Sequence, residues 1–118
     1  MNENRIISLF KDICYGHDDC IGYEVLVSPS SLLLEDEMAL YKAFPATEPS
    51  FSLLTIEAAD LPVTFKVQAG DAGFVTVWDV LDTIFQYRNY LGDKQFCGLS
   101  ATTDGLSLQL HLIDVGDD

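Results

Sequence analysis

Cys14, His17 and Cys20 stand at the spacing Cys-x2-His-x2-Cys. Two thiolates and an imidazole so placed can reach one tetrahedral zinc ion, and Cys97 or His111 could add a fourth ligand. Structural zinc sites usually bring two paired ligand knuckles, whereas this chain offers one isolated triplet. A free cysteine also packs as a small hydrophobe, so the expectation is no metal and no cofactor. His111 alternates with Ser107 and Gln109 on the polar face of a strand, where an imidazole can serve as a general base. Such a base needs a nucleophile and an orienting group beside it. Gly98-Leu99-Ser100-Ala101 lacks the final glycine of a nucleophile elbow. Gly70-Asp71-Ala72-Gly73 precedes a helix but lacks the lysine of a phosphate loop and the third glycine of a dinucleotide site. Asp71, Asp79 and Asp82 would also repel phosphate. Asp18-Asp19 and Glu35-Asp36-Glu37 lack the alternation of a calcium loop. No catalytic set emerges, and the reading leans away from an enzyme.

The helix expected over 76–91 is more informative. Val77, Val80, Leu81, Ile84 and Leu91 fall on one stripe at about 100° per residue, and that stripe faces a sheet. Thr76 and Asp79 suit a reciprocal cap at its start, and Gly92 a stop at its end. Arg88 falls within the stripe near the C-terminus, where a cation meets the dipole favourably and pairs with a carboxylate or carbonyl at the rim. Trp78 lies at the flank of the stripe, Tyr90 on the far side, and Asp82 on the outer face with Asp79, Gln86 and Asn89. Trp78, Asp82 and Tyr90 are therefore the candidate binding residues, because exposed tryptophan and tyrosine are enriched where partners dock. The competing reading packs Trp78 beneath an N-terminal helix.

That N-terminal helix is expected over 3–15, from Ile6, Leu9, Phe10 and Ile13 at helical spacing. Strands are expected over 23–27, 53–58 and 63–68, and in the alternating stretch Met38 to Phe44. Pro45-Ala46-Thr47-Glu48-Pro49 reads as a rigid connector. Lys94 to Ser100 and Leu106 to Ile113 read as a hairpin around Thr102-Thr103-Asp104-Gly105, with Leu106, Leu108, Leu110 and Leu112 on one apolar face beneath Val80, Leu81 and Ile84. The expected fold is α+β: a mostly antiparallel sheet of five to six strands against one long helix (76–91), with a short N-terminal helix (3–15).

The chain has 118 residues, and the expectation is a single domain over 1–118. Hydrophobic residues make up 48% of it, enough for a packed core and too many for wholesale disorder. Nineteen acidic against six basic residues give a formal charge of −13. That argues against nucleic acid and anionic membranes as partners, since both need basic surfaces. No apolar run is long enough to span a bilayer. The opening residues do not read as a signal peptide, and three cysteines do not read as a disulfide framework, so a reducing cytoplasm is expected. A Cys14–Cys20 disulfide stays open should the chain be exported by another route.

Several elements in order carry a family resemblance: Pro45-Ala46-Thr47-Glu48-Pro49, Leu54-Thr55-Ile56, Leu61-Pro62-Val63-Thr64-Phe65-Lys66-Val67, Gly73-Phe74-Val75-Thr76-Val77-Trp78-Asp79-Val80-Leu81, and Gln95-Phe96-Cys97-Gly98-Leu99. Over residues 45–113 the chain resembles a fungal family of mushroom-forming species known as a domain of unknown function. Val63 stands where that family usually has tryptophan, and Trp78 where it usually has a small or polar residue. The resemblance implies a fungal source and a compact α+β domain, and brings no reaction, ligand or site residue.

Two functions are carried forward. The first is a non-catalytic acidic protein-interaction or structural module, binding a protein partner or itself around Trp78. A basic partner would be released by salt, whereas a homotypic contact between acidic copies would be strengthened by it. The alternative is a small-molecule-binding protein or small enzyme with a pocket between helix and sheet, drawing on His111, Arg88, Tyr87 and Cys97.

Overall fold

The computed structural model describes residues 5–16, 23–58, 61–92 and 94–114. In chain order these form β1 (Ser8–Leu9), a 3-10 turn (Lys11–Ile13), β2 (Tyr23–Glu24), α1 (Pro29–Leu32), α2 (Glu35–Ala43), β3 (Thr47–Glu48), β4 (Leu53–Ala58), β5 (Thr64–Gln68), α3 (Val77–Gln86), α4 (Arg88–Leu91), β6 (Lys94–Ala101) and β7 (Leu108–Asp114). The architecture is α+β, with two sheets and four short helices.

The main sheet runs in the order β2-β6-β7-β4-β5. Its body is the four strands β4 to β7; β2 adds only a two-residue pairing at one edge, Tyr23 opposite Phe96 and Glu24 opposite Gln95. A uniform sheet of five to six strands is thus not what forms. β6–β7 and β4–β5 are antiparallel, and β4–β7 is parallel. β1 and β3 make a separate two-stranded pair.

One face of the main sheet is apolar. Leu54, Ile56, Phe65, Val67, Phe96, Leu99, Leu108 and Leu110 are all buried, as are Val77, Val80, Leu81 and Ile84 of α3. The α3 stripe is therefore as expected, and so is its start. The Asp79 amide donates to the Thr76 hydroxyl at 3.1 Å, and the Thr76 amide donates to Asp79 Oδ2 at 3.0 Å. These two bonds satisfy donors that a helix start leaves open.

The single long helix over 76–91 is corrected to two. Tyr87, with φ −96° and ψ 15°, leaves the helical region and separates α3 from α4. Its ring stacks on Phe65 of β5, centroids 4.5 Å apart. Docking on the sheet holds the chain at the break, and α4 restarts to bury Leu91. Arg88 behaves as its position suggests: its guanidinium donates to the Phe85 carbonyl at 2.9 Å and lies over the Phe85 ring.

The N-terminal helix over 3–15 does not form. The Ile6 amide donates to the Gly105 carbonyl, Ile7 to Glu48 and Phe10 to Ala46. These bonds to distant strands and loops replace the i to i−4 bonds of a helix that would be marginal at this length. Ile6 and Ile13 are still buried, while Ile7 is 79% exposed.

Met38 to Phe44 is not a strand but most of α2. The run Glu35-Asp36-Glu37-Met38-Ala39-Leu40-Tyr41-Lys42-Ala43 contains no β-branched residue and is rich in strong helix formers. Three acids occupy its first turn and Lys42 its last, as the helix dipole prefers. Glu37 Oε1 also accepts the Leu34 amide at 2.9 Å. Tyr41 is buried, and its hydroxyl donates to Asp12 at 2.8 Å, tying α2 to the 3-10 turn. Burial, then the Asp12 carboxylate, push the ionisation of that phenol well above its ordinary range.

The leucine face of the last strand is shorter than expected. Leu108 and Leu110 are buried and Leu112 is half-buried, but Leu106 is 61% exposed. Leu106 belongs to the turn, where its amide donates to the Asp104 carboxylate at 3.0 Å. A bond from the Thr102 hydroxyl, and then that from the Leu106 amide, hold the Asp104 carboxyl below its usual range. The turn therefore uses 102–107, and β7 starts only at Leu108.

Candidate functional site

A groove lies where the end of α2, the loop at 70–72 and the start of α3 meet. It has a volume of about 350 Å³ and is lined by Lys42, Gly70, Asp71, Ala72, Thr76, Trp78 and Asp79. Trp78 is half-buried, with part of its ring against the core. Lys42 Nζ sits 4.9 Å from the centroid of that ring, within cation–π range. Among the described residues, no carboxylate pairs with the Lys42 ammonium.

Asp79 has two roles at this spot. Its Oδ2 accepts the Thr76 amide in the cap, while Oδ1 faces the loop. A Cβ at position 70 would stand 3.4 Å from Oδ1, in ordinary contact, so the loop lies close beside this oxygen. The site thus combines an aromatic face, one cation seated on it, and the carboxylates of Asp71 and Asp79 in the same wall. An aromatic face edged by carboxylates attracts a cation, first through the ring quadrupole and then through charge.

The three residues expected to bind are distributed as follows. Trp78 and Asp82 are one turn apart on α3. Asp82 accepts a hydrogen bond from Gln86 Nε2 at 2.8 Å on the exposed side of the helix. Tyr90 lies on α4, 68% exposed, with its ring 5.9 Å from that of Tyr87. The break at Tyr87 gives Tyr90 a neighbourhood of its own, beside Tyr87 rather than beside Lys42. Trp78 does not pack beneath an N-terminal helix; its neighbour is α2. Lys42 was not legible as a site residue, because its place depends on α2 being a helix, and the loop at 70–73 was weighed only as a phosphate site. The acid-to-lysine gradient along 35–42 is the signal that would have located it.

A second cluster occupies the open face of the sheet. Ser100 Oγ and His111 Nε2 are 2.8 Å apart across β6 and β7. The Tyr15 ring stacks on the imidazole, with centroids 3.8 Å apart and planes at 23°. A groove of about 260 Å³ adjoins Ser100, walled by Ile6, Leu9, Leu99 and Ala101. Cys14 also borders it, but its thiol points to the Phe10 carbonyl at 3.4 Å, and burial pushes its ionisation up. A thiol so held is a poor nucleophile.

Cys14 is a free thiol, and both it and Cys97 are half-buried. His17 and Cys20 lie outside the described residues, so the Cys14, His17, Cys20 triplet is not described as a unit. Among the described residues, no three ligand side chains gather to hold a metal. Arg88, Tyr87, Cys97 and His111 do not line one cleft: Arg88 lies on Phe85, Tyr87 on Phe65, and His111 beneath Tyr15. Among the described residues, no helix is long and apolar enough to cross a membrane.

Neither a curated protein nor a solved structure matches this chain. The model of a family of unknown function, DUF6699, matches residues 21–104, most of the sequence and all of the groove, and the chain belongs to that family.

Proposed function

We propose that this chain is a non-catalytic acidic interaction module, which receives a protein partner at the α2–α3 groove with Trp78 as its anchor. The observation that carries this reading is the half-exposed Trp78 ring in a groove that also holds Asp71 and Asp79. The side of α3 that faces the sheet is filled by the buried aliphatic residues Val77, Val80, Leu81 and Ile84, which favours a packed core over a ligand pocket there. A charge of −13 favours a basic partner and rapid, salt-sensitive encounter. The family resemblance and the sparse cysteines favour a fungal, cytoplasmic setting for this module.

The test is capture from an extract of the source organism with the wild type and with Trp78→Ala. The wild type is expected to retain a protein that elutes with salt, and the variant to lose about ten-fold or more in affinity for it. Because the ring is only half-buried, the same change should lower the unfolding free energy by less than the ~3–5 kcal/mol typical of a core tryptophan. An unchanged set of retained proteins, together with a core-sized stability loss, makes Trp78 a packing residue and ends this reading.

The Ser100–His111 contact favours a second reading, a small hydrolase. With Nε2 unprotonated, His111 can take the Ser100 proton as the hydroxyl attacks an ester carbonyl. Hydrolysis of p-nitrophenyl butyrate that disappears in Ser100→Ala would establish it. Rates equal to buffer in the wild type would remove it.

A further inference from the structure

The groove around Trp78 already contains a cation, and that cation belongs to the chain itself. Lys42 Nζ lies over the indole at 4.9 Å and makes no ion pair among the described residues. Lysine is usually drawn to carboxylates at a protein surface, and Asp71 and Asp79 line the same groove. The ammonium nevertheless rests on the ring, while Asp79 lines the groove wall with its Oδ1 beside Gly70. A guanidinium fits this arrangement better than an ammonium does. It is planar and weakly hydrated, it stacks on an aromatic face, and it still presents donors at its edge to a carboxylate.

We propose that the groove is a receptor for an arginine side chain in a basic segment of the partner, and that Lys42 is an internal competitor which the arginine displaces from Trp78. This rests on the interaction reading above and adds the chemistry of the partner. The charge of the whole chain supports this occupant, and Asp71 and Asp79 bring that negative charge into the groove wall itself. Lys42 then sets a threshold. A lone surface cation gains little by replacing it, whereas an arginine that also reaches Asp79 gains a charge-assisted bond that Lys42 does not make. The lysine therefore lowers affinity in exchange for discrimination.

Trp78 is the only tryptophan of the chain, so its emission reports on the groove directly. The probes are acetyl-Gly-Arg-Gly-Arg-Gly-amide and the same peptide with citrulline, which keeps the shape and removes the charge. Three outcomes are expected at low salt. The arginine peptide shifts or quenches Trp78 emission saturably, and the citrulline peptide does not. Lys42→Met binds the arginine peptide about ten-fold more tightly, the equivalent of about 1.4 kcal/mol. Lys66→Met, which makes the same change in net charge at an exposed site on β5, leaves the affinity within about two-fold, as screening of distant charges requires. Equal tightening by the two lysine variants reduces the effect to bulk charge and overturns the displacement. A response to citrulline equal to that to arginine overturns the guanidinium. If a labelled arginine peptide binds by anisotropy while Trp78 emission stays fixed, the basic segment docks elsewhere and the inference falls. If neither peptide binds but Trp78→Ala still abolishes capture of a protein, the inference falls and the interaction reading stands. If both assays are silent, both fall.

Discussion

Leu110→Ala is expected to lower the unfolding free energy by about 2–5 kcal/mol, and Leu106→Ala to change it by no more than about 0.5 kcal/mol. The two leucines belong to one alternating series, and the sequence alone treats them alike. Leu110 is fully buried at the centre of the main sheet, with Leu99 of β6 on one side and Ala58 of β4 on the other. Truncation there leaves a cavity between two strands and the helix above them, where relaxation is limited by both neighbours. Leu106 sits in the turn with its side chain largely in water, so truncation removes little that folding had buried. Urea unfolding of the two variants at constant m value measures the contrast. Equal losses would put Leu106 on the core face and start β7 two residues earlier.

The parts of the fold that were legible are those fixed by local chemistry. The Thr76–Asp79 cap and the stripe Val77, Val80, Leu81, Ile84 need only one helix and one apolar surface to be consistent, and they form as read. The residues that misled are those whose pattern fits two structures. Ile6, Leu9, Phe10 and Ile13 have helical spacing, but their backbone amides find carbonyls at Ala46, Glu48 and Gly105 instead. Pairing with distant strands outweighs a weak local preference. Met38, Leu40 and Lys42 alternate as a strand would, yet the charges at Glu35-Asp36-Glu37 and Lys42 state the helix direction. Hydropathy alternation over seven residues carried less information than charge order along the helix.

The candidate site was legible only in part, for a related reason. Trp78 stands out in a sequence because a large aromatic beside a helix stripe must be covered or used. Its partners Lys42 and Gly70 come from two other segments, and nothing local announces them. The same holds for Ser100 and His111. The expected hairpin turn was shorter than the real one, and a register shift between Phe96 and Gly98 moves the strands relative to each other. The pair that meets at 2.8 Å is a diagonal one that neither residue's immediate neighbours could reveal.

Gly98 stands at the centre of that irregularity, and its replacement is the second large effect expected. It is buried, it lies opposite His111, and its φ of 120° is open to glycine and strained for any residue with a Cβ. Tyr15 donates its amide to Leu99 at the outer side of β6, whereas His111 lies in β7 on the other side. Their rings stack at 3.8 Å, reaching each other from the two sides of β6. Gly98→Ala should therefore lose about 1–3 kcal/mol through backbone strain alone. Gly98→Val should lose more, since a β-branched residue tolerates a positive φ worse than alanine does. The stack supplies an independent readout, because ring current from Tyr15 shifts the His111 ring protons upfield. In Gly98→Val that shift should collapse toward the free-histidine value, while Tyr15→Leu in the wild-type background removes it with a smaller loss of stability. A valine variant as stable as the wild type, with the His111 shift intact, would mean that glycine at this bulge is incidental.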